Sequence, residues 1–237
     1  WVLIETDGDV EDVVVLPGTV EDKVIYTVKR TINSSTVRYH EAWALESACR
    51  GGTLNKQADS FIVYSGSAVS TITGLSHLEG EAVVVWGNGI DYSPDVAGVQ
   101  TTYTVTSGQI TGLSPAVTSA VVGLPYTADW QSSKLAYLSE LGTALVQKKR
   151  ISQLGLILVD THNRGLKYGQ DFDHLQAMPL MEDGAVVATN YVWSQYDKPS
   201  IPLNGKWDTD SRLCLRAKAP RPCAISAAIV AMSEFDK

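Results

Sequence analysis

Only three cysteines occur in the 237 residues, Cys49, Cys214 and Cys223, and no two of them stand in a Cys-x-x-Cys spacing. So odd and sparse a set supports neither a disulfide framework nor a zinc knuckle. The three read as ordinary packed or half-exposed thiols, with a Cys214–Cys223 bridge as the alternative. No stretch approaches the roughly 18 uninterrupted apolar residues that a membrane helix needs, so no membrane segment is expected. Long basic runs are missing too: 19 Lys and Arg face 26 Asp and Glu, for a net charge of -7. That balance argues against a surface built to neutralise nucleic-acid phosphates, yet it suits a wall that repels DNA sliding past it. The opening residues, WVLIETDGDVEDVVVLPG, have no initiating methionine, basic n-region or small-residue cleavage site. They read as part of something longer.

Catalytic signatures are equally scarce. Four histidines, His40, His77, His162 and His174, form neither HExxH nor HxH, and no GxSxG nucleophile elbow is present. Asp171-Phe172-Asp173-His174 and Asp208-Thr209-Asp210-Ser211-Arg212 place acidic groups close together. The first could ligate a metal but reads as a solvated polar loop. The second resembles half a calcium loop without its glycine and distal glutamate, and reads as a turn. The carboxylate pairs Glu11-Asp12, Glu21-Asp22 and Glu182-Asp183 read as solvated loops, and His162 with Asp160 offers no more than a triad on paper. No enzyme activity, catalytic residue, cofactor or metal is expected. The one basic cluster, Lys148-Lys149-Arg150, is an edge-protecting charge group or a candidate contact to an acidic neighbouring subunit or DNA phosphate.

What the chain does have is short β-type runs. Val24–Val28, Ser60–Tyr64, Ala82–Trp86, Thr101–Thr106, Leu154–Val159, Ala185–Ala188, Leu213–Ala217 and Ala227–Met232 are rich in β-branched and aromatic residues. Turn signals stand between them: Pro17-Gly18, Gly87-Asn88-Gly89, Ser107-Gly108, Asn163-Arg164-Gly165 and Asn204-Gly205. The fold expected is mainly β: small antiparallel sandwich- or barrel-like domains with at most one or two short helices. Leu154, Leu156 and Leu158 predict a strand with one buried face, reversing at Asn163-Arg164-Gly165 into Leu166-Lys167-Tyr168 as a hairpin. Leu135, Leu138, Leu141 and Leu145 predict a short amphipathic helix within 132–150, interrupted at Gly142-Thr143.

One phrase is written twice: Ile72-Thr73-Gly74-Leu75-Ser76 leads after five residues to Ala82-Val83-Val84, and Ile110-Thr111-Gly112-Leu113-Ser114 leads after five to Ala120-Val121-Val122. Two copies are too few for a solenoid. They imply two equivalent strand entries in one small domain, with Gly74 and Gly112 as structural corners and Ala-Val-Val as the buried strand. Boundaries fall in 46–57 and near Gly123-Leu124-Pro125, giving segments 1–47, 58–122 and 123–237.

HLEGEAVVVWGNG, Ser107–Thr111, Val122–Tyr126, KKRISQLGLILVDTHNRGLKYG and PLNGKWDTDSRLCLRAKAPRPCAISAAI together resemble, in order and spacing, the C-terminal part of the tail nozzle proteins (tail tubular protein B) of short-tailed bacteriophages. The opening VEDVVVLPGTVEDKVIYTVKRTINSSTVRYHE is similar to the stretch that closes their preceding, propeller-like domain. The resemblance implies a non-enzymatic virion protein assembled in the host cytoplasm. It implies a ring, generally hexameric, that joins an adaptor and portal-proximal tail protein, with tail fibres as further partners. DNA would be ejected through its lumen without specific binding. The alternative is a receptor- or glycan-binding module of a tail tip or fibre. The family's proline-rich phrase near the last strand is here Ala219-Pro220-Arg221-Pro222-Cys223.

Overall fold

The computed structural model describes residues 5–136, 138–139, 142–182 and 184–234. Among them the chain is mainly β, every strand pairing is antiparallel, and the helical content is three single turns of 3-10 helix, Glu46–Ala48, Ser76–Leu78 and Ala144–Val146. It divides into two compact units that meet in sequence between Tyr126 and Thr127.

The first unit opens with a three-stranded meander, Asp9–Leu16, Lys23–Ile32 and Ser35–Ala42. On the middle strand Val28, Arg30 and Ile32 are buried at alternate positions, as a strand with one covered face requires. A second sheet follows in the order Tyr103–Thr104, Ala82–Gly87, Val117–Leu124, Asp59–Val69. Its core is Ile72, Leu75, Leu78, Val83, Val85, Val105, Ile110, Leu113, Val117, Ala120 and Val122 with their neighbours.

The repeated phrase explains that sheet. The two copies pair with each other: Ile72 stands opposite Ile110, its own counterpart, and Thr73 opposite Gln109. The Ala-Val-Val strands are neighbours as well, with Val85 facing Val122 and their counterparts Gly123 and Val84 facing each other. Leu75 N–H donates to Gly108 O at 2.9 Å, and its counterpart Leu113 N–H donates to Ser70 O at 3.1 Å. Exchanging each residue for its counterpart therefore maps the central ladder onto itself, as a local two-fold axis does. The halves are intertwined, because Asp59–Val69 pairs with the second copy's strand while Tyr103–Thr104 pairs with the first's. Neither half could bury Ile72, Leu75, Ile110 or Leu113 alone.

Both corner glycines adopt left-handed backbone, φ +88° at Gly74 and +82° at Gly112, and a Cβ at either would meet no atom within 4 Å. A side chain there costs backbone strain alone. Gly74→Val and Gly112→Val should each lower stability by about 1–3 kcal/mol, and by similar amounts because the sites are equivalent. Urea unfolding followed by the fluorescence of buried Trp86 measures both. Two turn signals also take their expected form: Asn88 (φ 52°) with Gly89 (φ 80°), and Ser107 (φ 54°) with Gly108 (φ 67°), are two-residue turns with both φ positive. At Asn163-Arg164-Gly165 close approach rather than φ requires glycine, since a Cβ on Gly165 would lie 2.7 Å from Pro222 O.

The second unit is a sandwich. One sheet has the order Val192–Ile201, Lys149–His162, Ala224–Glu234; the other runs Thr127–Gln131, Cys214–Lys218, Leu166–Gly169, Gln176–Ala177. Leu154, Leu156 and Leu158 are fully buried, as their alternation requires, and pack with Leu166, Tyr168, Trp193, Tyr196 and Leu215. The expected hairpin is corrected here. Lys149–His162 pairs with the strands on either side of it in its own sheet, whereas Leu166–Gly169 pairs with Cys214–Lys218 and Gln176–Ala177. The chain reverses at Asn163-Arg164, but it crosses to the other sheet, so the leucines on each side of the turn meet face to face across the core. The expected helix is also corrected: Leu138–Ser139 pairs with Gly142–Thr143, and Ala144–Val146 is one 3-10 turn before the long strand begins. Leu135 packs on the core while Leu145 is exposed, so they share no face; Leu141 lies outside the described residues. Strands Asp9–Leu16, Ser35–Ala42, Thr127–Gln131 and Val192–Ile201 were not among the expected runs, and Thr101–Thr106 contracts to Tyr103–Thr104.

Candidate functional site

The two acidic segments singled out in the sequence come together on the second unit. They line a polar cleft of about 420 Å³ with Gln131, Gln170, Lys206 and Ser211. Each aspartate is first a turn former. Asp171 Oδ1 accepts the backbone N–H of Asp173 at 3.1 Å and of His174 at 2.8 Å, with the His174 Nδ1 also 2.8 Å away. Asp208 Oδ1 accepts the Asp210 N–H at 3.0 Å. The remaining carboxylate capacity is matched by cations: Lys206 Nζ lies 3.0 Å from Asp171 Oδ2, and Arg212 Nε 2.9 Å from Asp210 Oδ1.

This arrangement fixes the charge state. Lys206 and His174 hold the Asp171 carboxyl down at about 2, and the Asp210 N–H, more than the nearby lysines, lowers Asp208. Both carboxyls are lowered, the opposite of the raised carboxyl that a general acid or a poised general base needs. Among the described residues no group of three or more His, Cys, Asp or Glu is placed to hold a metal ion. Lys206 and Arg212 on the cleft wall are already committed to Asp171 and Asp210.

A pH test follows. The folded-state value of about 2 lies below the ordinary aspartate value of roughly 3.9. The stabilisation from Asp171 is therefore present above about pH 4 and is lost as pH falls toward 2. Asp171→Asn should lower the urea midpoint at pH 6, and its difference from the unmodified chain should close progressively between about pH 4 and pH 2.

The basic cluster is not presented as one surface. Lys149 is fully buried, its ammonium donating to the carbonyls of Thr209 at 3.0 Å, Gln147 at 3.2 Å and Leu145 at 3.4 Å. Lys148 and Arg150 are exposed on either side of it, with the Arg150 guanidinium 5.1 Å from the centre of the Trp207 ring.

The other candidates are dispersed. His40 Nδ1 lies 3.0 Å from the Thr27 hydroxyl, and His77 Nε2 lies 3.0 Å from Ser60 O. Buried His162 accepts the Arg164 N–H at Nδ1, 3.1 Å away, and faces Asn190 Oδ1 with Nε2 at 3.4 Å. All three cysteines are free, so the Cys214–Cys223 bridge is not formed. Burial raises each thiol, Cys223 to about 12, and keeps it protonated near neutrality.

Glu11-Asp12 lies in a strand rather than a loop, at a bulge, with Glu11 bound twice by Arg38 at 2.7 and 3.0 Å. Glu182 also sits in a strand and accepts from Trp193 Nε1 at 3.1 Å; Asp183 is outside the described residues. Glu21 and Asp22 do occupy a connection, accepting from Ser47 and from the Gly18 N–H. Ala219, Pro220, Arg221 and Pro222 are buried.

The largest ionic network in the first unit went unread in the sequence. Arg30, 2% exposed, donates to both oxygens of Glu41, to the Asp7 carbonyl, to Thr6 and to Ser60, and its guanidinium lies 3.6 Å from Asp59. Tyr26 closes the group, its hydroxyl 2.9 Å from Glu41 and 3.2 Å from Asp59. Burial, then the two carboxylates, raise the phenol. The available signal was the alternation Val24, Tyr26, Val28, Arg30, Ile32, in which one charge sits on an apolar face. Compared with family models and with curated proteins, the sequence matches none.

Proposed function

We propose that this chain is a non-enzymatic wall component of a bacteriophage tail, part of a ring-shaped nozzle through which DNA leaves, with copies of itself and an adaptor ring as partners. The observation that carries this reading is where the apolar surface lies. Part of it sits on strands at sheet margins, Val13, Val14, Val15 and Leu16 in the first unit and Ile225 and Ile229 in the second, and the rest on connections and short hairpins such as Val20, Val96, Val99 and Val186. The polar cleft of the second unit, by contrast, has its charges tied in ion pairs and turns. Exposed apolar margins suit contact with another protein surface, and the net charge of -7 suits a lumen that does not hold DNA. The quoted resemblance names the assembly.

Electron microscopy and analytical ultracentrifugation of the chain test the reading: rings with a central pore are expected. A monomer at every concentration, with no incorporation into tails, would refute it. The glycan-binding alternative draws on exposed Trp130 and Trp207. The Trp207 ring already carries the Arg150 guanidinium, which leaves less of it for stacking on a sugar. Saturable binding on a glycan array would favour that alternative.

A further inference from the structure

Where the chain crosses between the two sheets of the second unit, at 162–165, three segments are tied together. His162 N–H donates to Pro222 O at 2.8 Å, Asn163 N–H to Tyr191 O at 2.9 Å and Gly165 N–H to His162 O at 2.7 Å. The Asn163 side-chain amide adds a bond to Ala188 O at 2.8 Å, and the Thr161 hydroxyl accepts the Ala224 N–H at 3.0 Å. Segments 161–165, 188–191 and 222–224 therefore meet at one point. The imidazole of His162, 1% exposed, stands in it.

The hydrogen bonds fix the proton of that ring. The backbone N–H of Arg164 donates to Nδ1 at 3.1 Å. A backbone amide nitrogen can only donate, so Nδ1 keeps its lone pair and the ring proton is on Nε2, which faces Asn190 Oδ1 at 3.4 Å. A second proton would have to sit on Nδ1, directly against the Arg164 N–H, and would set a charge where bulk water does not reach. The titratable and charged groups on the joined segments are Asp160, Arg164, Tyr191, Arg221 and Cys223. Arg221, 2% exposed, donates to Arg164 O at 3.5 Å, so a fixed cation already belongs to this turn. Burial holds the Cys223 thiol protonated and uncharged.

We infer that His162 is an acid-sensitive latch on the second unit: it closes the crossing only as the neutral imidazole, and uptake of a proton releases 162–165 from 188–191 and 222–224. The sign follows from proton counting. Once the crossing is open, His162 is an ordinary imidazole that binds a proton below roughly pH 6.5, whereas the closed form has no place for one. The open state is therefore favoured as pH falls, by about tenfold for each pH unit below that value, and above it the latch is indifferent to pH.

Hydrogen exchange of the full chain, corrected for the intrinsic rate at each pH, tests this at the amides of His162, Asn163 and Gly165. Their protection should be constant above roughly pH 6.5 and fall about tenfold per pH unit below it. His162→Asn keeps an acceptor for the Arg164 N–H, as an Asx turn, but cannot take up a proton. Its protection should be lower throughout, for want of the ring, and flat across the same interval. Asp160→Asn, which removes the one carboxylate of these segments, should leave the fall in place. An equal fall in the unmodified chain and in His162→Asn would overturn the proposal. If the asparagine leaves the crossing open at every pH, the nitrogen-15 shifts of the His162 ring in the unmodified chain decide: neutral, with the proton on Nε2, for as long as the three amides stay protected. A doubly protonated ring in a chain whose amides remain protected would overturn the latch as well.

Discussion

Arg30→Met should cost the first unit about 3–5 kcal/mol, the range for removing one partner of a buried ion pair, seen as a large fall in its urea midpoint. The Arg30 side chain is 1% exposed and Glu41 12%, so no bulk water replaces the lost donors. The substitution leaves Glu41 and Asp59 facing the same space with Tyr26, Ser60 and Thr6 as donors, all neutral and none able to balance two negative charges. It also frees the Asp7 carbonyl and leaves Thr6 held by Asp59 alone. If the loss arises from stranded charge rather than from side-chain volume, Arg30→Met combined with Glu41→Leu should lose less than the sum of the single changes. A fall below about 1 kcal/mol for the single change would mean that the network is solvated in solution.

The fold was legible where one residue pattern determined one partner. Leu154, Leu156 and Leu158 alternate and are buried; Asn88-Gly89 and Ser107-Gly108 turn with positive φ. The repeated Ile-Thr-Gly-Leu-Ser phrase marked two equivalent entries, though not that Ile72 would face Ile110. Pattern failed where the partner lay far away. Asn163-Arg164-Gly165 signals a reversal, but the shared core decides that the next strand joins the opposite sheet. Strand Val192–Ile201 was hidden by Pro199, tolerable only because the strand is a margin.

Site residues were legible as types and not as states. The first aspartate segment read as a solvated loop and the second as a turn, but only the fold shows that they share a cleft where Lys206 pairs with Asp171 and Arg212 with Asp210. Lys149 reads like its neighbours in sequence and is buried because its strand starts under Thr209. Arg30 gave one signal, a charge on an apolar alternation, which has no meaning until Glu41 and Asp59 arrive from two other strands.

The duplication also says where the copies had to diverge, and the second large effect lies there. Gly123 is the counterpart of Val85, a fully buried core residue, and the local two-fold would allow valine at both positions. The surroundings do not. A Cβ on Gly123 would lie 2.5 Å from Asp59 O, 2.9 Å from Phe61 Cβ and 3.0 Å from Ala58 Cβ, so backbone of the neighbouring strand would have to move. Gly123→Val should therefore destabilise the first unit by about 3 kcal/mol or more, the upper end for overpacking, against the smaller losses at the open corners Gly74 and Gly112. The residue displaced is Asp59, which also faces Arg30, so the two sites share a partner. Gly123→Val combined with Arg30→Met should lose less than the two separate losses added together, because the first change already disturbs what the second removes. Strict additivity in urea unfolding would show that the Asp59 backbone absorbs the valine without moving its carboxylate.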